Sequence, residues 1–338
     1  MSLNKPIWKL KDWIDIEKLN FEILSSSKYA IHLLEANQDK IDWYKLSENE
    51  FAIDLLLKNQ EKINWDCLSR NKNAIKLLSD NKDKINWHHL SLNRNANSLL
   101  YENQDKIIWK LLSLNKTAFT ILSDNREKIE WRYLIENINS RKLIEENLDK
   151  INWNLFSFNE NYIEILSQNL DKINWHYLSF NKNAISLLEK NPDKIDWKYL
   201  SRNPMAISIL EKNIDKIDWD YLAYNKNAIS ILEKNPDKIN WSILSMNTNA
   251  ILLLEKNQDK IDWDNLSYNK NALKLLSENQ DKINWKNISS NPAIFELDYE
   301  KMKENNIQMY EELIKEVMKP SRVFKDPNYD YLEELFGD

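Results

Sequence analysis

Residues 191–212 read NPDKIDWKYLSRNPMAISILEK and are one copy of a 22-residue unit that recurs along nearly the whole chain. Its tryptophan keeps a fixed register through twelve copies: Trp43, Trp65, Trp87, Trp109, Trp131, Trp153, Trp175, Trp197, Trp219, Trp241, Trp263 and Trp285. A thirteenth copy precedes them, with Phe21 at the tryptophan position. Such self-similarity is typical of a solenoid, in which each unit is too small to bury its own apolar face.

The middle of the unit predicts a first short helix. Asp196 precedes Trp197 and is a plausible N-cap, because its carboxylate can accept a free backbone N–H of the next turn. Trp197 and Leu200 stand three residues apart and therefore share one helix face.

A second helix is expected after Asn203–Pro204, since proline tolerates the first helical position and asparagine is a strong N-cap. The apolar residues 206, 207, 209 and 210 follow helical spacing rather than alternation. Asn191–Pro192 and Asn235–Pro236 mark a third start signal, before the Asp-Lys-Ile turn. We therefore interpret the unit as two short helices and a turn.

A leucine-rich repeat is the alternative that the period and the LSxN segment suggest. Its strand needs an inward apolar residue two positions before the leucine, and this chain has Lys198, Asp220 and Asp264 there. The strand pattern therefore fails. The fold class predicted is all-α: an elongated α-solenoid of about thirteen helical-hairpin repeats with N- and C-terminal caps.

Three domains follow from the ends of the periodic region. Residues 1–15 are expected to form an N-terminal cap, in which Ile7, Leu10 and Ile14 cover the first repeat. Residues 16–292 form the solenoid. Residues 293–338 form a C-terminal helical cap with an acidic tail, in which apolar residues from Ile307 to Val317 follow helical spacing up to Pro320. Within the solenoid, Ser140–Arg141 replaces Ala-Ile and marks a candidate bend.

The composition argues against nucleic acid and against a membrane. The net charge of −6 lies entirely in residues 293–338, which hold 12 acidic and 6 basic residues, so the remaining repeats are neutral. A phosphate-tracking surface needs a basic excess. No apolar run approaches 18 residues, and the N-terminus has no signal-peptide core. With a single cysteine, the chain is expected to be intracellular.

The sequence contains no arrangement of residues that is typical of a catalytic site, and we expect no cofactor. Gly337 is the only glycine, which excludes glycine-rich phosphate loops and nucleophile elbows. The four histidines are scattered, with only His88 and His89 adjacent, so no metal cluster is indicated. Cys67 has no matched base. We expect neither catalytic nor metal-binding residues.

The consensus NPDKIDWxxLSxNPxAIxLLEKN resembles tryptophan-containing 22-residue repeats of uncharacterised proteins from amoeba-infecting giant DNA viruses. The opening Leu10–Ile14 and the tail Val317–Val323 also look like the ends of that family. The resemblance covers essentially the whole chain. It implies a viral protein in the host cytoplasm or in a virion, and it brings no activity and no functional residues.

The invariant columns are interpreted as structural. Tryptophan stands one helical turn from a recurrent leucine, which favours core packing over a stacking platform for ligands. The asparagines favour capping and turns over a polar groove. The lysine column follows an acidic residue throughout and favours a solvated face with ion pairs. Serine after the leucine becomes Ala223 once, which suggests that its small volume matters more than its hydroxyl.

The variable columns are the candidate binding surface. Positions two and five residues after tryptophan lie nearly opposite the core face of the first helix at 100° per residue. The candidate partner-binding residues are Tyr133, Phe158, Tyr177, Phe180, Tyr199, Tyr221, Tyr224, Met246 and Tyr268. The alternative is that these side chains pack between successive first helices or against another copy.

The acidic tail supplies a second candidate. Tyr331, Leu332, Leu335 and Phe336 could lie on one side of a short helix and dock in a partner groove, or they could cover the last repeat.

The function expected is a non-catalytic scaffold or adaptor that binds a host or viral protein through the variable columns. A self-associating structural protein of a virion or another assembly is the first alternative. A nucleic-acid-binding repeat protein is a weaker one. No membrane partner is expected.

Overall fold

The computed structural model describes residues 6–135 and 137–317, and within them it contains thirteen helical repeats in sequence order. We number the repeats 1 to 13 after their aromatic residue, from Phe21 to Trp285. The all-α repeat solenoid expected from the sequence is confirmed.

The first helices span Phe21–Leu24, Trp43–Glu48, Trp65–Leu68, Trp87–Leu92, Trp109–Leu114, Trp131–Leu134, Trp153–Phe158, Trp175–Phe180, Trp197–Arg202, Trp219–Ala223, Trp241–Ser245, Trp263–Leu266 and Trp285–Ile288. The second helices span Ile31–Ala36, Ile53–Lys58, Ile75–Ser79, Asn97–Glu102, Phe119–Asp124, Arg141–Glu145, Ile163–Gln168, Ile185–Glu189, Ile207–Glu211, Ile229–Lys234, Ile251–Glu255 and Leu273–Glu278. Short 3₁₀ turns such as Pro192–Lys194 connect most repeats. The described part also contains strands β1 (Trp8–Leu10) and β2 (Phe295–Leu297) and a terminal helix, Tyr299–Val317.

The N-cap predicted for the first helix is confirmed. Asp196 lies in extended backbone, and its Oδ1 accepts the N–H of Tyr199 at 3.2 Å. This bond satisfies one of the amides that a helix start leaves unpaired.

The second helix begins later than the proline signal suggested. Asn203 caps a turn, in which its Oδ1 accepts the N–H of Met205 at 3.0 Å, and the helix starts only at Ile207. Asn191 also differs from a helix cap: its Nδ2 donates to the Leu187 carbonyl at 2.8 Å and closes the preceding helix. Its side chain makes no cap bond to the 3₁₀ turn that begins at Pro192.

A ladder of buried asparagines joins successive repeats. Asn203 is 0% exposed, and its Nδ2 donates to the carbonyls of Ser179 and Asn181 in the preceding repeat, both at 3.1 Å. The same pair of bonds recurs at Asn49, Asn71, Asn93, Asn115, Asn181, Asn225, Asn247, Asn269 and Asn291. Each repeat is thereby fixed at one distance and angle from its predecessor.

A serine hydroxyl makes the second link, which corrects the interpretation that only its volume matters. Ser201 Oγ donates to the Trp197 carbonyl at 2.7 Å and accepts the backbone N–H of Asp218 in the next repeat at 3.0 Å. Where Ile135 and Ala223 replace the serine, this link is missing from the described bonds. Next to Ile135, Asn137 and Asn159 each donate to one carbonyl of the preceding repeat instead of two.

The tryptophans are half-buried against the core, and a lysine covers the face that remains. Lys216 Nζ lies 4.7 Å from the centroid of the Trp197 ring, and the same pairing occurs in nearly every repeat. Lys194 departs from it and lies 3.6 Å from Asp193. The lysine column is therefore mainly a set of cation–π contacts, which the sequence did not predict, and the expected ion pairs occur at Lys18, Lys40 and Lys194.

The two ends of the array meet, which differs from the elongated array with two separate caps. Strands β1 and β2 pair antiparallel, with Lys9 opposite Glu296. Trp8 packs edge-on against Tyr29 of repeat 1, and Tyr29 stacks on Phe295. The two end segments thus form one clasp.

Repeat 1 also packs on repeat 13 with the links used elsewhere. The N–H of Asn20 donates to Ser289 Oγ at 2.8 Å, and Lys18 Nζ lies 5.0 Å from the Trp285 ring centroid. Both contacts join the same repeat positions that are joined between neighbouring repeats elsewhere in the array. The solenoid is therefore a closed ring, with a mean turn of about 28° per repeat.

The first helices form the inner layer of this ring. Successive first helices approach each other more closely than successive second helices do, as between Trp153–Phe158 and Trp175–Phe180. In a closed ring, the crowded layer is the inner one. Thirteen helices at ~9–10 Å spacing give an inner circle of about 40 Å between axes, and hence an opening of roughly 30 Å.

The ladder predicts that one buried amide matters far more than an exposed one. Asn203→Ala removes both bonds to the preceding repeat and the bond accepted from Met205, and should lower the free energy of unfolding by about 2–3 kcal/mol. Asn227→Ala is the matched control, since its amide donates to Pro204 at an exposed site and should cost about 0.5 kcal/mol. Urea titration followed by circular dichroism measures both, and equal losses would contradict the ladder.

Closure predicts a disulfide across the clasp. Antiparallel partners have Cα atoms ~4.5–5.5 Å apart, within the range that a disulfide spans. Lys9→Cys with Glu296→Cys should form an intramolecular crosslink on oxidation and stabilise the ring by about 2–4 kcal/mol. A non-reducing gel and a thermal melt read the outcome. Lys9→Cys with Glu189→Cys, on a distant second helix, should not crosslink within one chain, and equal crosslinking of both pairs would refute closure.

Candidate functional site

The variable side chains of the first helices face the central opening. Positions one, two and five after tryptophan lie opposite the buried leucine, as Tyr224 (40% exposed) does relative to Leu222 (0%). Because the first helices are the inner layer, these positions line the inner wall of the ring. They differ from repeat to repeat, whereas the frame behind them recurs.

We call the nine residues predicted from the sequence the aromatic arc: Tyr133, Phe158, Tyr177, Phe180, Tyr199, Tyr221, Tyr224, Met246 and Tyr268. They lie on consecutive repeats, from 6 to 12. Phe158, Tyr224, Met246 and Tyr268 are exposed, and the other five are half-buried. The structure thus brings the nine residues together on one side of the opening.

One run of contacts follows the position five after tryptophan. The rings of Phe158 and Phe180 stack with centroids 5.3 Å apart and planes 14° apart. The Arg202 guanidinium lies 5.7 Å from the Phe180 centroid and 4.8 Å from that of Tyr224. Four consecutive repeats are joined by this run.

A second run follows the positions one and two after tryptophan. Tyr199 has the imidazole of His176 on one side at 3.9 Å between centroids and Tyr221 on the other at 5.8 Å. Lys198 Nζ lies 4.9 Å from the Tyr221 centroid. At the start of the arc, Lys110 and Arg132 both lie against Tyr133, at 5.2 and 5.9 Å.

Both interpretations of the variable columns therefore describe part of the geometry. Tyr199 and Tyr221 pack between successive first helices, as the alternative expected. Met246 and Tyr268 show large exposed areas, and Tyr268 donates its hydroxyl hydrogen to Asn287 Oδ1 at 2.8 Å. Because the rings of the arc pack against each other, their exposed edges are held in fixed positions.

The opposite side of the inner wall carries charge pairs, beside which the ring of Tyr44 is 59% exposed. Lys45 pairs with Glu22 at 2.7 Å, and this contact lowers the pKa of the Glu22 carboxyl. Arg70 lies 3.8 Å from Glu48. Repeats 1 to 3 therefore present charge pairs where repeats 7 to 10 present aromatic rings.

The remaining candidates offer less chemistry. Cys67 is 2% exposed, and burial raises the pKa of its thiol, so it stays protonated at neutral pH.

In the part of the chain that the structure covers, no group of three His, Cys, Asp or Glu side chains is placed to hold a metal ion. No helix there is long and apolar enough to span a bilayer. Tyr331, Leu332, Leu335 and Phe336 lie outside the described residues.

A cavity of about 820 Å³ lies at the closure, between the second helices of repeats 1 and 2 and the terminal helix. Trp8, Tyr29 and Phe51 line it, and Lys28 lies against the last two rings at 4.9 and 5.8 Å. Its polar groups contact each other, as His32 does Glu35 at 3.1 Å. The cavity therefore belongs to the clasp.

Sequence reasoning missed the cations of the arc. Lys198 was cited only as evidence against a strand and Arg202 was not considered, although each lies on the same exposed side as the aromatic positions. Extending the 100° projection to the position one after tryptophan would have placed Lys110, Arg132 and Lys198 beside the predicted aromatics.

Comparison of the chain with protein-family models, with curated proteins and with solved structures finds no match. The resemblance to giant-virus repeat proteins therefore stays a prediction.

The arc predicts different stability costs for two phenylalanines of one helix. Phe156 is fully buried, so Phe156→Ala should lower the free energy of unfolding by about 3–5 kcal/mol. Phe158 is 47% exposed and loses mainly its stack with Phe180, so Phe158→Ala should cost about 1 kcal/mol. Thermal and urea unfolding measure both. Similar costs would show that the arc is part of the core and not a surface.

Proposed function

We propose that the chain is a non-catalytic binding ring that holds a protein partner on the aromatic arc. One observation carries the proposal: aromatic rings of successive repeats contact each other on one side of the opening, whereas charge pairs occupy the same helix positions on the other side, beside the ring of Tyr44. Exposed aromatic side chains held rigid by their neighbours are typical of the anchors that dominate protein interfaces.

The regular frame supports the adaptor role. The ladder keeps most first helices at one spacing, so a partner meets pre-arranged side chains and little order has to be created on binding. Repeat proteins with extended concave surfaces use such residues to bind partners along several units.

Self-association through the arc is less well supported than partner binding. The arc faces an opening of roughly 30 Å, which is narrower than a second ring of the same size. A slender partner, either an extended segment or one helix of about 10–12 Å diameter, fits this space. If the resemblance to viral repeats holds, the partner would be a host or viral protein met in an infected cell or in a particle.

Site-specific photocrosslinking tests the proposal. p-Benzoylphenylalanine placed at Tyr224 of the arc should crosslink to a discrete partner protein in the cells that naturally make the chain. The same probe at Tyr101, which is 54% exposed on an outer second helix, is the matched control and should not. Equal crosslinking at both positions would contradict the proposal. Crosslinks between copies of the chain at Tyr224 would favour the structural role instead.

A further inference from the structure

The cations of the aromatic arc differ from Lys45 and Arg70 on the other side of the ring. Lys110, Arg132, Lys198 and Arg202 are exposed, and none has a carboxylate of the described residues within 4.0 Å. On the polar side of the wall, Lys45 and Arg70 are paired with glutamates. The arc therefore carries unneutralised positive charge although the repeat array as a whole is neutral.

Acidic groups on the same positions do not cancel this charge. From repeat 5 to repeat 10, Asp220 is the one carboxylate among the described residues one, two or five positions after tryptophan, and it accepts the Asn240 amide at 2.7 Å. The sequence adds Glu136, which lies outside the described residues. His176 is bonded to Asp196, whose other oxygen caps the next helix.

The stacked cations keep their hydrogen-bond donors available. Arg202 lies against Phe180 and Tyr224 and donates no side-chain hydrogen bond to another described residue, so its guanidinium N–H groups are available to a carboxylate. Those donors match the two oxygens of Asp or Glu in bidentate geometry. The exposed edges of aromatic rings are also electropositive and attract the same oxygens.

Two rings in the middle of the arc, in contrast, already have neighbours on both sides. Tyr199 lies between His176 and Tyr221, and Phe180 has Phe158 and Arg202 as its neighbours. Single-stranded nucleic acid binds such platforms by stacking its bases on free aromatic faces. The middle of the arc therefore offers few free faces for base stacking, whereas its cations and exposed ring edges suit a polypeptide.

We infer that the partner presents an acidic segment, with carboxylates for the four cations and apolar side chains between them for the exposed aromatic edges. This inference rests on the proposed function of the arc and specifies its ligand. An extended chain rises ~3.3 Å per residue, so about three residues cover one repeat spacing and roughly 16–18 span repeats 5 to 10.

Selection from a random library tests this chemistry. Phage-displayed 16-residue peptides would be selected on the full-length chain, and enriched sequences would be synthesised with a fluorescent label. We expect a clear excess of Asp and Glu over the starting library. Fluorescence anisotropy should show binding at least about 10-fold weaker to Lys198→Glu/Arg202→Glu, with affinity that falls as salt rises.

Matched controls distinguish a loss of binding caused by the reversed charges of the arc from one caused by unfolding. Lys190→Glu/Lys212→Glu reverses two exposed charges on outer second helices of adjacent repeats and should bind the peptides like the parent. Thermal melts of both double variants should agree with the parent, which shows that the rings remain folded. A labelled oligothymidylate of 16 nucleotides should bind more weakly than the selected peptides.

Four outcomes would overturn the inference: no enriched peptide, enriched peptides without an acidic excess, equal binding to the Lys198→Glu/Arg202→Glu ring, or tighter binding of the oligothymidylate. Neutral apolar peptides that depend on Phe180 and Tyr224 would refute the acidic partner and leave the proposed protein-binding role standing. The crosslinking at Tyr224 tests that role separately.

Discussion

The buried asparagine amide is the interaction on which the rest of this structure depends. Each repeat is too short to have a core of its own, so its position is defined by its neighbour. An asparagine such as Asn203 fixes that position with three bonds: two donated to the preceding repeat and one accepted within its own turn. A buried amide that lost its partners would destabilise the fold by more than its hydrogen bonds stabilise it. Other spacings between repeats are therefore strongly disfavoured. The same spacing at nearly every junction gives a nearly uniform curvature.

Uniform curvature explains why the ends can meet. Where repeat 1 joins repeat 13, the serine link and the lysine–tryptophan contact persist, but Ser27 stands in place of the ladder asparagine. The clasp of β1 and β2 replaces the missing amide and the missing second helix of repeat 13, and Ile294 and Phe295 are buried beneath it. Closure also removes both exposed ends of the solenoid, which an open array must cover with separate caps.

The sequence predicted the repeat unit well because its signals are local. The helix face of Trp197 and Leu200, the Asp196 cap and the failure of the strand pattern all depend on neighbours within a few residues. The ladder and the closure depend on contacts between residues that are at least 22 and as many as 285 positions apart, and no local pattern distinguishes an asparagine that caps a turn from one that also bonds to another repeat. The residues of the arc could be predicted by projecting the sequence onto a helix at 100° per residue. That they face a central opening follows only from the closure of the ring, which the sequence did not predict.

The closure of the ring can be observed directly on the unmodified protein. Single-particle electron micrographs of the purified chain, averaged face-on, would reveal whether the array is closed. The account predicts closed rings with a central opening of about 30 Å and an inner wall of thirteen evenly spaced helices. Open arcs, or rods of roughly 100 Å, would contradict it, because they would mean that the step fixed by the asparagine ladder does not bring the two ends together.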